Sequence, residues 1–130
     1  LDIAPSAVAA LKDRLQQHAP GWEKHLRLVT GDFFQYEGPF DLILEQTFFC
    51  ALSPALRKDY ALKMHELLTP GGKLAGVLFD KDFGGGPPFG GYAEEYRALF
   101  EPLFRIRTLA PCYNSIPPRA GTEVFILLEK

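Results

Sequence analysis

Cysteine is scarce in this 130-residue chain, which has two thiols, one methionine and one tryptophan. Cys50 and Cys112 stand far apart, outside any Cys-x-x-Cys spacing and without a neighbouring histidine. That excludes a disulfide framework and offers no zinc site, so no metal is expected. A basic surplus is also lacking: 14 lysines and arginines face 16 acidic residues, and they are scattered. Without a basic patch to meet a phosphate backbone, nucleic acid is not expected as a partner. No apolar run approaches the roughly 18 residues that span a bilayer, and no basic-then-apolar leader opens the chain, so a cytoplasmic protein with no membrane partner is expected. Internal repeats, low-complexity tracts and interdomain linkers are absent. His18, His25 and His65 fall at a helix end, before a strand and on a helix surface, as solvated histidines do. No Ser/His/Asp, Cys/His or metal-ligating constellation is present.

What is present suits a single domain over residues 1–130, with 47% apolar and 23% charged residues. Leu1 to Ile3 reads as the end of a strand, and Pro5 sits where a first-turn proline belongs, ahead of Val8, Leu11 and Leu15 on one helical face. The helix stops at His18 to Gly21, and Leu26 to Thr30 follows as a short strand ending at Gly31-Asp32. After Gly38-Pro39 comes the strand Phe40 to Glu45, a near-continuous apolar run of the kind buried on both faces of a parallel sheet. Ser53 is placed to cap a helix with Pro54 at its first position. Its inner face is Leu56, Tyr60, Met64, Leu67 and Leu68, with Asp59 and Lys63 as an exposed pair. Lys73 to Phe79 is the next strand. A glycine- and proline-rich loop from Asp80 to Gly91 leads to a helix over Tyr92 to Glu101. Leu103 to Leu109 and Glu123 to Glu129 end the chain as strands, joined by a connection too short for a crossover helix and hence antiparallel. The order β-α-β-β-α-β-α-β-β indicates an α/β protein whose sheet is mostly parallel.

The stretch from Asp41 to Cys50 carries the most information, because an apolar strand runs there into a carboxylate, two polar residues and an aromatic pair. In open α/β sheets the ligand crevice lies outside the carboxyl ends of the strands, which is where Glu45, Gln46, Thr47, Phe48 and Phe49 fall. A Gly-rich strand-to-helix turn, the usual opening of a nucleotide-type domain, is missing. The chain is therefore expected to be the carboxyl-terminal portion of a longer domain, lacking its first strand and Gly-rich loop.

Four stretches, in this order and spacing, resemble the class I S-adenosylmethionine-dependent methyltransferases, and among them the thiopurine S-methyltransferase-like group that includes thiol and halide methyltransferases. They are Leu1 to Ile3 with Pro5; Gly31 to Phe34; Phe40 to Leu52 leading into Ser53-Pro54 with Arg57; and Pro70 to Gly72 leading through Lys73 to Phe79 into Gly85 to Phe89. The resemblance implies a Rossmann-like three-layer sandwich and S-adenosyl-L-methionine as cofactor. It places Asp2, with Ile3, at the cofactor ribose, and Asp32 and Phe33 around the adenine; Phe34 is expected in the core. Glu45, Gln46 and Thr47 follow the strand that meets the methionine part of the cofactor.

Phe48 and Phe49 can wall the pocket around the sulfonium methyl, whose charge is favoured near aromatic faces. Because adjacent residues seldom point into one cavity, one of the two is expected in the core. Phe79 and the loop from Asp82 to Phe89 are expected to close over the substrate, with Tyr113 and Arg119 able to reach the same mouth. Methyl transfer needs positioning more than acid–base machinery. Where a proton must leave, Asp80, Asp82 and Tyr113 are the candidates. The implied activity is methylation of a small thiol, thiopurine-like compound or halide, with the 130 residues alone expected to be inactive. A non-catalytic remnant of the fold is the alternative. A nicotinamide oxidoreductase shares the Asp2 position but leaves Gly31 to Phe34 and the Phe48-Phe49 pair unexplained.

Overall fold

Proline and glycine punctuate the chain where its elements begin and end, and a computed structural model describes all of them, residues 1–130. The chain divides into two compact units, Leu1–Glu37 and Gly38–Lys130.

In the first unit, helix α1 (Pro5–His18) starts at its proline as expected. None of its residues is buried; Val8 and Leu15 are half-covered and Leu11 is 44% exposed. The strand expected over Leu26–Thr30 contracts to one parallel bridge, Asp2 to Thr30, closed by Asp2 N–H donating to Val29 O and Gly31 N–H donating to Asp2 O, both at 3.0 Å. Trp22 is the buried anchor of this unit.

The second unit is built on a four-stranded sheet in the order β1-β2-β4-β3, with strands β1 (Phe40–Gln46), β2 (Leu68–Phe79), β3 (Arg105–Pro111) and β4 (Glu123–Glu129). β1 and β2 are parallel, whereas β4 runs antiparallel to both β2 and β3, so the sheet is mixed and the last two strands pair antiparallel as expected. Along β2 and β4, Leu74, Leu78, Val124, Ile126 and Leu128 are buried. Helices α2 (Arg57–Leu67) and α3 (Ala93–Phe100) contribute Tyr60, Ala61, Met64, Leu67, Tyr96 and Phe100 to the same core.

Three local expectations are corrected. Ser53 does not cap α2 with its side chain; a tight turn over Pro54–Leu56 intervenes, in which Leu56 N–H donates to Ser53 O at 2.9 Å, and Leu56 is left exposed. Lys63 pairs with Glu66 at 3.0 Å rather than with Asp59, since positions three and four apart lie equally close on a helix. β2 begins at Leu68, not Lys73: Phe40 pairs with Leu68 but Leu42 with Lys73, so Thr69 to Gly72 bulge out between two paired positions.

Gly76 faces Glu45 across the β1–β2 ladder, and a Cβ there would lie 2.5 Å from Glu45 Cβ and 2.7 Å from its carbonyl oxygen. Only glycine leaves room for the Glu45 side chain to turn inward at the end of β1.

Candidate functional site

The carboxyl end of β1 is organised by one carboxylate. Glu45 is 4% exposed; its Oε1 accepts from the Phe48 and Phe49 N–H groups at 3.0 and 3.1 Å, and its Oε2 from the Tyr60 hydroxyl at 2.9 Å. Those three bonds favour the ionised form, yet burial outweighs them and raises the carboxyl above its usual range. Tyr60, fully buried against Glu45, is pushed well above the ordinary phenol range by desolvation first and the carboxylate second. Glu45 thus holds the turn after β1 in shape.

That turn carries a strained residue. Thr47 has φ +59°, in the left-handed region that β-branched residues rarely enter, and its hydroxyl donates to Gln46 O at 2.7 Å. Backbone held this way costs roughly 1–3 kcal/mol and persists where the surroundings over-determine it, as they do at functional sites. Thr47 borders two adjoining hollows. An inner recess is bordered by Glu45, Phe49 and Glu123, and an outer, open pocket by Ala51, Pro87 and Pro88; Thr47, Cys50, Phe79 and Arg119 border both.

Of the aromatic pair, Phe49 is the core member, and Phe48, expected at the pocket, borders neither hollow. Phe49 is 1% exposed, edge-on to Tyr60 at 5.0 Å and to Tyr96 at 5.5 Å, with the Arg57 guanidinium over its face at 5.0 Å. Phe48 is half-buried, its ring 6.2 Å from Tyr60. Neither borders the outer pocket, whereas Phe79 does. Its ring meets Phe83 edge-on at 4.9 Å and the Arg119 guanidinium face-on at 5.1 Å.

The Asp80 to Gly91 loop is tied at its second foot, by Phe89 N–H donating to Cys50 O at 2.7 Å and by Arg57 donating to Gly90 O. Lys81 and Gly91 bridge its base. Phe89 therefore serves as an anchor, and the pocket wall expected of it comes from Pro87 and Pro88. Asp80 Oδ1 accepts from Ala93 N–H at 3.0 Å, which starts α3. Asp82 Oδ1 accepts from Gly84 N–H at 2.8 Å within the loop, and Tyr113 is 96% exposed. None of these three candidate bases borders the pocket. Burial and the nearby Glu45 raise the Cys50 thiol, which keeps it protonated.

In the first unit, the bridge sets Asp2 beside Thr30 and Gly31, the residues that lead into Asp32. Asp2 Oδ1 accepts from Ala4 N–H at 2.8 Å and Asp32 Oδ1 from Phe34 N–H at 2.9 Å, so each carboxylate is fixed through one oxygen with the other uncommitted. Two such acceptors on adjoining segments suit the hydroxyls of a ribose and the exocyclic amine of an adenine, and these residues fit S-adenosylmethionine in that sense. Ile3 is 73% exposed beside Asp2; Phe33 and Phe34 are half-buried and edge-to-face at 5.1 Å.

Pro87 and Pro88 belong to the loop expected to close over the substrate, whereas sequence reasoning overlooked Cys50 as a pocket wall and Tyr60 as the partner of Glu45. A buried tyrosine one helix away leaves no local signal, but the place of Cys50 in the turn that follows β1 did.

Compared with solved structures, the chain has the fold of the S-adenosylmethionine-dependent methyltransferases. The apo methyltransferase SibL superposes with a TM-score of 0.74 at 15% identity, over 100% of this chain and 42% of that one. The N-methyltransferase NodS of Bradyrhizobium japonicum WM9, in complex with S-adenosylhomocysteine, does so with a TM-score of 0.73 at 17% identity, over 99% and 64%. Residues 1–125 match the model of the thiopurine S-methyltransferase (TPMT) family, and the chain belongs to that family. Among curated relatives, the "Probable thiol methyltransferase 2" of Arabidopsis thaliana is 38% identical over 104 residues, 77% of this chain and 46% of its own length. "Thiocyanate methyltransferase 1" of the same plant is 31% identical over 127 residues, 95% and 55% respectively. The chain spans about half the length of these relatives.

Proposed function

We propose that residues 1–130 belong to one methyltransferase domain of a cytoplasmic enzyme that moves the methyl group of S-adenosylmethionine to a small thiol, thiopurine-like compound or halide. The observation that carries this reading is the turn after β1, where Glu45 and a strained Thr47 hold open a pocket at the carboxyl ends of β1 and β2. The names of the relatives, a thiol and a thiocyanate methyltransferase, point the same way. The bound cofactor supplies an electrophilic sulfonium methyl. The chain's own residues hold and shield: Asp2 accepts from ribose hydroxyls, Asp32 from the adenine amine, and Phe79, Ala51, Pro87 and Pro88 give an acceptor an apolar, water-poor wall. Transfer to an acceptor that arrives as an anion requires no general base, and none of Asp80, Asp82 and Tyr113 borders the outer pocket.

Calorimetry with S-adenosylhomocysteine on the enzyme carrying this chain tests the reading. Asp2→Ala is expected to weaken binding by about 1.5–3 kcal/mol, the loss of charge-assisted hydrogen bonds, with the fold intact. An unchanged dissociation constant removes Asp2 from the ribose site. Product analysis with labelled cofactor tests the acceptor, and methylation confined to unactivated alcohols or macromolecules overturns it.

A further inference from the structure

We infer that Arg57 is a positioning residue for the methyl transfer. From outside the pocket it fixes where the wall of Pro87 and Pro88 stands, and with it how large an acceptor the pocket admits. The inference rests on the proposed function for what enters the pocket, but not for what Arg57 holds.

Arg57 opens α2 and borders neither hollow. Its side chain is 14% exposed and joins three segments. The guanidinium lies over the Phe49 face at 5.0 Å, Nη2 donates to Gly90 O, and Nη1 donates to Glu95 Oε2 at 3.4 Å. Phe49 belongs to the turn after β1, Gly90 closes the loop that carries Pro87 and Pro88, and Glu95 lies in α3. A planar cation suits this place, since its face stacks on a ring while its edge donates in two directions.

The contacts are unequal. Glu95 is 56% exposed, and an ion pair so open to water contributes little. The bond to Gly90 O is partly buried and grips a foot of the loop that has no slack: a Cβ on Gly90 would lie 1.9 Å from Lys81 O, and Lys81 and Gly91 exchange N–H···O bonds at 2.9 and 3.1 Å. One residue earlier, Phe89 N–H donates to Cys50 O at 2.7 Å. Cys50, Pro87 and Pro88 all border the outer pocket, so these two bonds set the distance between the turn after β1 and the proline wall. Phe79, another wall, has a tie of its own, the Tyr96 hydroxyl donating to Phe79 O at 2.6 Å. Removing the guanidinium therefore loosens the prolines and leaves Phe79 in place. Methyl transfer depends on holding the reacting atoms close, and a retreating wall holds a small acceptor poorly while making room for a bulky one.

The enzyme carrying this chain is to be compared with its Arg57→Gln and Arg57→Lys variants, with hydrosulfide as the small acceptor and naphthalenethiol as the bulky one. In Arg57→Gln we expect KM for hydrosulfide to rise and the preference for naphthalenethiol, as a ratio of kcat/KM values, to increase about tenfold, the equivalent of one charge-assisted hydrogen bond. Arg57→Lys keeps a donor for Gly90 O and loses the planar stack, so its change should be intermediate; it also serves as the second variant should the glutamine variant not fold. Glu95→Gln should match the parent. Amide hydrogen exchange reads the same tie without any acceptor: Phe89 N–H should exchange faster in Arg57→Gln, while the Phe48 and Phe49 N–H groups bound to Glu45 keep the parent rate. A residue that only stabilised the fold would lower the rate with both thiols alike and speed exchange at all three amides, and either result overturns the inference. So does an unchanged thiol preference in every variant that folds, or a Glu95→Gln variant that behaves as Arg57→Gln does. A parent enzyme that methylates neither thiol, with Phe89 alone exchanging faster in Arg57→Gln, would sink the proposed function and leave Arg57 as the residue that holds the wall.

Discussion

Thr47 shows at the residue scale how much the site depends on a single unfavourable choice. A β-branched residue at φ +59° is held there by the Glu45-organised turn on its C-terminal side and by β1 before it. Glycine at this position removes strain of roughly 1–3 kcal/mol and gives back about 0.5–1 kcal/mol in chain entropy. Thr47→Gly is therefore expected to stabilise the chain by up to about 2 kcal/mol in urea unfolding, whereas Thr47→Val, which keeps the branch and loses the hydroxyl bond, should destabilise it by about 1 kcal/mol. A glycine variant less stable than the valine variant would show that the backbone is not strained. Nothing in the sequence announced the conformation: Thr47 read as one polar residue at a strand end. Its position was legible, because the carboxyl ends of strands are where ligands bind, but its dihedral angle was set by a carboxylate two residues earlier and a tyrosine one helix later.

At the scale of elements, β1 and β2 fit together only because Gly76 stands opposite Glu45. Gly76→Ala must push the strands apart or evict the Glu45 side chain, which would strip Phe48, Phe49 and Tyr60 of their acceptor. We expect a loss of about 1–3 kcal/mol or more, seen as a lower urea midpoint, together with a Tyr60 that ionises at lower pH. An unchanged midpoint would mean that Glu45 can be housed elsewhere. Strong periodicity made most elements readable: β4 matched its expected bounds, and Tyr60, Met64 and Leu67 faced inward as their spacing required. The misses occurred where neighbours in space decided the outcome. Leu26 to Thr30 has a strand's composition but pairs through a single bridge, and Thr69 to Gly72 was absorbed as a bulge that no local pattern encodes.

For the whole molecule, pH is the broadest probe of the buried network. Tyr60 and Tyr96 both have raised phenols, Tyr96 to about 12, mainly through burial, and Tyr96 also donates to Phe79 O at 2.6 Å. A group whose pKa is higher folded than unfolded stabilises fully below its unfolded value and loses that contribution as pH rises through the folded one. Stability should hold to about pH 10 and fall towards pH 12, and absorbance titration should show two of the five tyrosines resisting ionisation until the chain unfolds. Five tyrosines titrating together in the folded chain would contradict the buried pair. The raised Glu45 carboxyl acts with the same sign at the acid end, present in full below about pH 4.5 and lost as pH rises beyond it. Glu45→Gln should flatten the pH dependence of stability just above that value. The tied feet of the Asp80 to Gly91 loop have a consequence of another kind. Its tip, Asp82 to Pro88, lies exposed, while Phe89 and Gly90 are fastened to Cys50 and Arg57, and Lys81 is bridged to Gly91. A protease cut at the exposed Phe83 would sever the chain into two peptides that stay clasped on either side of the break, so covalent continuity through the pocket's roof is separable from the architecture beneath it.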